Sequence, residues 1–480
     1  MDTESLRAAV TREWDEQAVP NLAELIRIPA VTTAYDRSWA DNGHLRAAAE
    51  HVKRWVEGRG LPNVRCEVLE LDGRPPLLVV EAQPTAEGVD LGTVLLYGHL
   101  DRQPPTGEWS PGRDAWTPVL DGDRLYGRGS VDDSYSAYVA ISAIVALAAA
   151  GGVHARSIVL LETEEESASG SLPAYLDLLQ NRLKDVSLVI CLDSGGEDHK
   201  RLWLTKSLRG LVSATLTVQV LDTPVHSGLA AGIVPDSFRI VRQLLERLED
   251  ATTGEIRLPE MNAPIPGHRR AEVAALTGLP DRQQPRYPLT AGTRQMSDEA
   301  VELILNNTWR PSLTVTAAAG LPEPAAAVPV VRQATSVRLS FRLPPTVKAD
   351  HAARALIDVL TTDVPYSAKV DVTDVMLING WNARPTASWL TAALETAEQE
   401  VFDGPSAAIG LGGGIPFLEM LGNRYPEAQF VVTGAVRSDS NVHAPDEWLS
   451  LSFAHKLTEA IALLMDSHAR RNTETSRRSA

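Results

Sequence analysis

The sequence predicts an α/β fold: a mostly parallel sheet flanked by helices, interrupted by an inserted two-layer α+β unit of ferredoxin-like order. Three observations predict it. Short β-branched runs alternate with longer helical patterns over the first 205 residues; from about Leu208 the order becomes β-α-β-β-α-β; and α/β character returns near Ala387. The first rhythm builds a parallel sheet covered by helices, and the second builds a compact two-layer unit. A chain of 480 residues exceeds what one hydrophobic core usually serves. The expected division is residues 1–207 with 386–480 in one unit, and 208–385 as the insert.

In chain order, HLRAAAEHVKRWVEGRG is a helix candidate, followed by the strand candidates PPLLVVEAQ and GTVLLYGHL. The helix candidate DDSYSAYVAISAIVALAAAG comes next, then the strands ARSIVLLETE and VSLVICLDS. Several of these strands end in polar residues, and open α/β sheets bind ligands beyond the carboxyl ends of their strands. In the insert, LVSATLTVQVL reads as a strand and PDSFRIVRQLLERLED as a helix, ahead of a Pro-, Gly- and polar-rich region. The strands SLTVTAAAG and SVRLSFRLPP follow, then a helix from Asp350 and the strand AKVDVTDVML. The helix SWLTAALETAEQEVF, the strand AQFVVTGAV and a last helix from about Ser450 to His468 complete the fold.

Composition is that of an ordinary globule, 44% hydrophobic and 22% charged. A net charge of −17 argues against nucleic acid or an anionic membrane as a partner. Cys66 and Cys191 are the only cysteines, which excludes a disulfide framework and suits a reducing compartment. The acidic start MDTESLRAAVTREWDE carries no apolar export segment, and the Ala-rich stretch Tyr138–Val153 is too short to span a bilayer. The expectation is a soluble, cytoplasmic protein.

The chemistry-bearing residues fall at strand ends. His99 and Asp101 close YGHLD, two apart and therefore on one face of a strand. Asp132 and Asp133 precede a helix, Glu164, Glu165 and Glu166 follow SIVLLET, Asp193 ends VSLVICLDS, and His443 lies in SDSNVHAPDE. Taken singly, each has a plainer reading: a surface histidine, a helix N-cap for Asp133, a solvated glutamate run, a turn aspartate. Taken together at successive strand ends, they repel one another unless positive charge lies between them. A pair of divalent cations supplies it, and imidazole with carboxylate suits Zn2+, with Mn2+ as the alternative.

From about Leu25 to Ala460 the motifs YGHLD, GRGSVDD, EEESASGS, CLDSGG, VHSGLAAG, SFRLPP and NVHAPDE occur in order. The series resembles the dinuclear zinc metallopeptidase family of carnosinases, cytosolic non-specific dipeptidases, carboxypeptidase G and aminoacylases, in a bacterial dipeptidase-like branch. The resemblance implies a catalytic domain interrupted by a lid and dimerisation domain. It implies one metal on His99 and Asp193, a second on Glu166 and His443, and Asp132 bridging both. Asp101 would orient His99, and Glu165 would be the general base. His226 would reach across a homodimer to the partner's site and stabilise the oxyanion. Arg342 would bind the terminal carboxylate of the substrate, helped by a loop containing Gly413 and Gly414. That loop departs from the family, with Leu411 and Gly414 where an acid and a hydroxyl are usual. The implied activity is hydrolysis of the amide bond in dipeptides or small peptide-like substrates with a free C-terminal carboxylate. The alternatives are an N-acyl amino acid deacylase using the same site and a catalytically silent binding relative.

Overall fold

The computed structural model describes residues 2–85, 92–278, 287–413 and 415–478. Its main sheet has six strands, with Thr93–His99 inside, parallel to Ser157–Glu162 on one side and to Val186–Cys191 on the other. Gln429–Val432 extends it in parallel beyond Val186–Cys191. Leu77–Ala82 and Val64–Leu69 extend the other edge antiparallel. Every residue of Leu77–Ala82, Thr93–His99 and Ser157–Glu162 is buried, as befits strands covered on both faces. Alternation divides their side chains between two cores. Leu78, Val94, Leu96 and Val159 join one hydrophobic cluster, while Val79, Leu95, Tyr97 and Ile158 join another.

The first face is covered by helix Tyr135–Ala149, which is buried almost all round because it lies between the sheet and the helices Thr3–Glu13 and Leu451–Arg478. Its close approach depends on the glycine of YGHLD. A Cβ on Gly98 would lie 1.9 Å from Ser136 Oγ and 2.6 Å from Asp133 Oδ2, so any larger residue would push the helix start off the strand end. Arg102, fully buried, fixes the neighbouring segment. Its guanidinium donates to the carbonyls of Leu25, Ile26 and Ile28 and to Ser134 Oγ. It thereby satisfies the open carbonyls at the end of helix Val19–Ile26.

A second, four-stranded antiparallel sheet runs in the order Ser312–Ala319, Ala334–Leu343, Gly210–Gln219, Lys369–Ile378. Ala334–Leu343 is buried at every second residue, the period-two signature of a sheet with one packed face. That face packs with helices Ser237–Glu246 and Ala349–Thr361 into its own hydrophobic cluster. The chain enters and leaves this region side by side: Trp381 pairs with Leu208 and Asn382 with Ser207. Ala407–Leu411 lies parallel to the same Trp203–Leu208 strand.

Several elements escape the sequence reading. Val64–Leu69 carries Arg65 and Glu67 within its apolar positions and sits at the sheet edge. Helices Gly267–Thr277 and Ala300–Thr308 occupy the polar-rich region, where their periodicity is weak and Pro and Gly surround them. Among the described residues, no helix is long and apolar enough to cross a membrane.

Candidate metal centre

Because the inner strands are parallel, their carboxyl ends open on one edge, and His99 lies there opposite Glu162. His99 is fully buried. Its Nδ1–H donates to the carbonyl oxygen of Asp101 at 3.0 Å, with the Asp101 carboxylate 3.4 Å away. A carbonyl only accepts, so the neutral ring carries its proton on Nδ1 and turns the Nε2 lone pair toward the site. Nε2 lies 3.3 Å from Asp132 Oδ1 and 3.9 Å from Asp193 Oδ1. On the far side of Asp132, Oδ2 is 2.8 Å from His443 Nε2, which is itself 3.1 Å from Glu166 Oε1. Asp132 thus stands between the two imidazoles.

The carboxylate of Asp101 has a second contact that spacing alone does not reveal. Oδ1 accepts the backbone N–H of Glu165 and Oδ2 that of Glu166, both at 3.1 Å. This clamp sits on a single 3-10 turn, Glu165–Ser167, where neighbouring glutamates can point different ways. Glu166 turns to His443 and accepts from Gln103 Nε2 at 2.8 Å. Glu164 turns away, accepting the N–H of Ser171 at 2.7 Å. Glu165 lines the open cavity beside Asp132, Glu166, Asp193 and His443. Asp133, read from sequence as a possible N-cap, does not cap the helix: the cap residue is Ser134 and no side chain bonds there. Instead Asp133 Oδ2 accepts the His99 N–H at 3.1 Å, and its buried Oδ1 has no hydrogen-bond partner.

Charge is crowded at this edge. Burial opposes a charged His99, yet Asp101, Asp132 and Asp193 raise its pKa well above the ordinary value. His443, held by Asp132 and Glu166, is raised to about 10. Burial would lift Asp132, but His443 and His99 bring it below the usual carboxylate range. Asp193 is pushed up to about 7 by burial and by Asp132 and Glu166, with His99 opposing. Glu165 is raised well above the carboxylate range by burial and then by Asp193. Cations at this edge would let all these carboxylates ionise together.

The neighbouring cavity measures about 1470 Å3 and runs from the carboxylates to side chains within 253–270, 287–314 and 409–411. His226 is exposed and paired with Val330, outside this lining. Arg342, half-buried on Ala334–Leu343 opposite Leu211 and Ser312, is also outside the lining, as is Gly413. Gly414 lies outside the described residues. Leu411 lines the cavity, and so does Arg209, which the sequence reading missed. Arg209 is 6% exposed and donates to the carbonyls of Asn306, Arg310 and Gly412 and to Ser312 Oγ. Burial, and then the charge of neighbouring Arg342, lowers its pKa to about 10. No local pattern marks such a residue, because its acceptors lie 97 to 203 positions away.

His99, Asp133 and Asp193 form one group of potential ligands, and Asp132, Glu166 and His443 another, with the ligand atoms of each group within 4.8 Å of one another. Imidazole nitrogens and carboxylate oxygens are a donor set that fits zinc or manganese. Fold and ligand clusters together define an α/β protein with two adjoining candidate cation sites at one sheet edge. The pattern of Peptidase family M20/M25/M40 matches residues 95–467, and the chain belongs to that family. It is 24% identical to the cysteinylglycine-S-conjugate dipeptidase of Corynebacterium striatum, over 83% of this chain and 87% of that one. Its fold is similar to that of the di-peptidase Dug1p from Saccharomyces cerevisiae, with TM-score 0.72 and 20% identity over 98% of this chain and 99% of that one. It is likewise similar to an M20 family metallo-carboxypeptidase, Sso-CP2, from Sulfolobus solfataricus: TM-score 0.75 and 19% identity over 95% and 99% of the two chains.

Proposed function

We propose that this protein is a two-metal dipeptidase, cleaving the amide bond of small peptides whose leaving residue bears a free carboxylate. The observation that carries this reading is Asp132 within reach of both His99 and His443, with Glu165 beside it on the cavity wall. His99 and Asp193 would hold one cation, Glu166 and His443 the other, and Asp132 both. The set suits Zn2+, with Mn2+ second. When bound, the cations supply positive charge against the carboxylates and polarise the scissile carbonyl. Glu165 takes the proton of the attacking water and returns it to the leaving amine, which departs protonated as the amide C–N bond breaks. Arg342, whose charge acts on Arg209, receives the terminal carboxylate, a group that a guanidinium fork fits, and Gly413 and Gly414 are assigned to the same role by the family resemblance. The dipeptidase relatives support the substrate class.

In this reading residues 208–385 form a lid that hinges where Trp381–Asn382 pairs with Leu208 and Ser207. Two copies associate through it, so that the exposed His226 enters the partner's site. The exposed edge strand Ser312–Ala319 and the exposed side chains of Leu229 and Ile233 support an interface there. The free thiols Cys66 and Cys191 suit the reducing cytoplasm.

One observation favours deacylation of N-acyl amino acids instead. Leu411 lines the cavity between Gly410 and Ile415, presenting no negative charge to a free substrate amine. Metal-reconstituted protein assayed on dipeptides and on N-acetyl amino acids separates the two; the dipeptidase reading expects the free-amine substrates to turn over faster. Glu165→Ala should lower kcat by roughly 10^2- to 10^4-fold while metal content, measured by elemental analysis, stays unchanged. Wild-type turnover in that variant would remove Glu165 from its role.

A further inference from the structure

Behind the ligands lies a fully buried ion pair that the reaction does not use. Arg128 and Glu447, with side chains 1% and 0% exposed, meet at 2.7 Å between Nη1 and Oε2. The other oxygen of Glu447 accepts the backbone N–H of Val131 at 3.2 Å and of Asp132 at 3.3 Å. The other terminal nitrogen of Arg128 donates to the carbonyl of Ala444 at 3.3 Å, the residue directly after His443. Two ligand loops, more than three hundred positions apart in sequence, are therefore joined through one carboxylate and one guanidinium. Their side chains meet at Asp132 Oδ2 and His443 Nε2. A buried ion pair is weak evidence for stability, since desolvation of both charges offsets their attraction and apolar replacements are often neutral or better. Retention of this pair beneath the ligand loops needs another reason.

We infer that Arg128 and Glu447 are positioning residues, a clamp that holds the Asp132 and His443 loops at metal-binding separation before any cation arrives. The clamp spares the cation the cost of ordering those loops, because ligands already in place lose little freedom on binding. The inference rests on the two-metal reading above and adds that part of the affinity is stored in this pair.

The test uses full-length protein stripped of metal. Zn2+ affinity is measured by competition with a chromophoric chelator, and melting is followed with and without chelator. The proteins are wild type, Glu447→Gln, the double variant Arg128→Met with Glu447→Met, and, as a control, Arg156→Met with Glu81→Met. The control removes an ion pair of 2.6 Å that touches no ligand loop. The clamp predicts that Glu447→Gln and the Arg128/Glu447 double variant bind at least one zinc equivalent roughly 10- to 100-fold more weakly. It also predicts that the double variant melts in chelator at or above the wild-type temperature and that the control binds zinc normally. Unchanged zinc affinity in both clamp variants overturns the inference. So does a loss of affinity that merely tracks a fall in metal-free melting temperature in both variants, since that marks a structural pair. Wild-type protein that takes up no zinc overturns the two-metal reading, and the clamp with it.

Discussion

The two walls of the cavity are built differently. On the sheet edge, His99 and Asp193 lie at or just past the ends of parallel strands and Asp132, Glu166 and His443 on the turns and loops beside them, and each sits within 4 Å of another member. On the opposite wall, the lining residues within 253–270, 287–314 and 409–411 come from separate segments, and the expected carboxylate-binding residues are not gathered there. On the sheet edge, parallel strands buried on both faces fix where their own ends fall. The far wall depends on how the second sheet and its helices sit against a loop, an arrangement tied through residues such as Arg209. On the proposed function, chemistry falls to the sheet edge and the loops beside it, and selectivity to packing between distant segments.

If that contrast is right, the largest loss comes from the shared point of the sheet edge. Asp132→Ala should abolish turnover and reduce bound zinc to less than the wild-type amount, because both imidazole sides lose their common carboxylate. Undiminished metal content by elemental analysis would break the contrast. Arg342, outside the cavity lining, should give a different signature. Arg342→Ala is expected to raise KM by roughly 10- to 100-fold for substrates with a free carboxylate, the effect of losing a charged hydrogen bond. It should leave kcat and metal content near wild type, and substrates with a C-terminal amide should be affected far less. An equal effect on acid and amide substrates would take the carboxylate away from Arg342.

A smaller effect concerns pH. His443 is raised from about 6.5 to about 10 by Asp132 and Glu166, so the protonated ring favours the folded metal-free state. That contribution is full below pH 6.5 and is lost as pH rises through about 10. Metal-free protein should lose melting temperature over that interval, and His443→Ala should flatten that part of the profile. A metal ligand must be deprotonated, so loading with zinc at neutral pH should release protons. Calorimetry in buffers of different ionisation enthalpy measures this, and buffer-independent heats would contradict it.

How much is legible in the sequence follows the same division. Thr93–His99, Ser157–Glu162 and Val186–Cys191 are apolar runs that end in or just before polar residues, so the pattern points to their position and to a cluster of acids and histidines at their ends, while the choice of Asp132 over Asp133 and of Glu166 among three glutamates comes from the family resemblance. The period-two strands Gly210–Gln219 and Ala334–Leu343 are legible for the same reason. Hidden are contacts made by backbone groups: Asp101 holding the N–H groups of Glu165 and Glu166, Asp133 holding that of His99, and Glu447 holding that of Asp132. A carboxylate that accepts from a distant main chain leaves no periodic trace. Helices Gly267–Thr277 and Ala300–Thr308 are hidden because only tertiary packing along the cavity makes them helical.

The most direct test is a crystal structure of zinc-loaded protein with anomalous difference maps recorded at the zinc edge. Two peaks roughly 3.5–4 Å apart, with one oxygen of Asp132 on each, His99 at the first and His443 at the second, are the expected result. A single peak, or two peaks with the Asp132 carboxylate bound to neither, would contradict it.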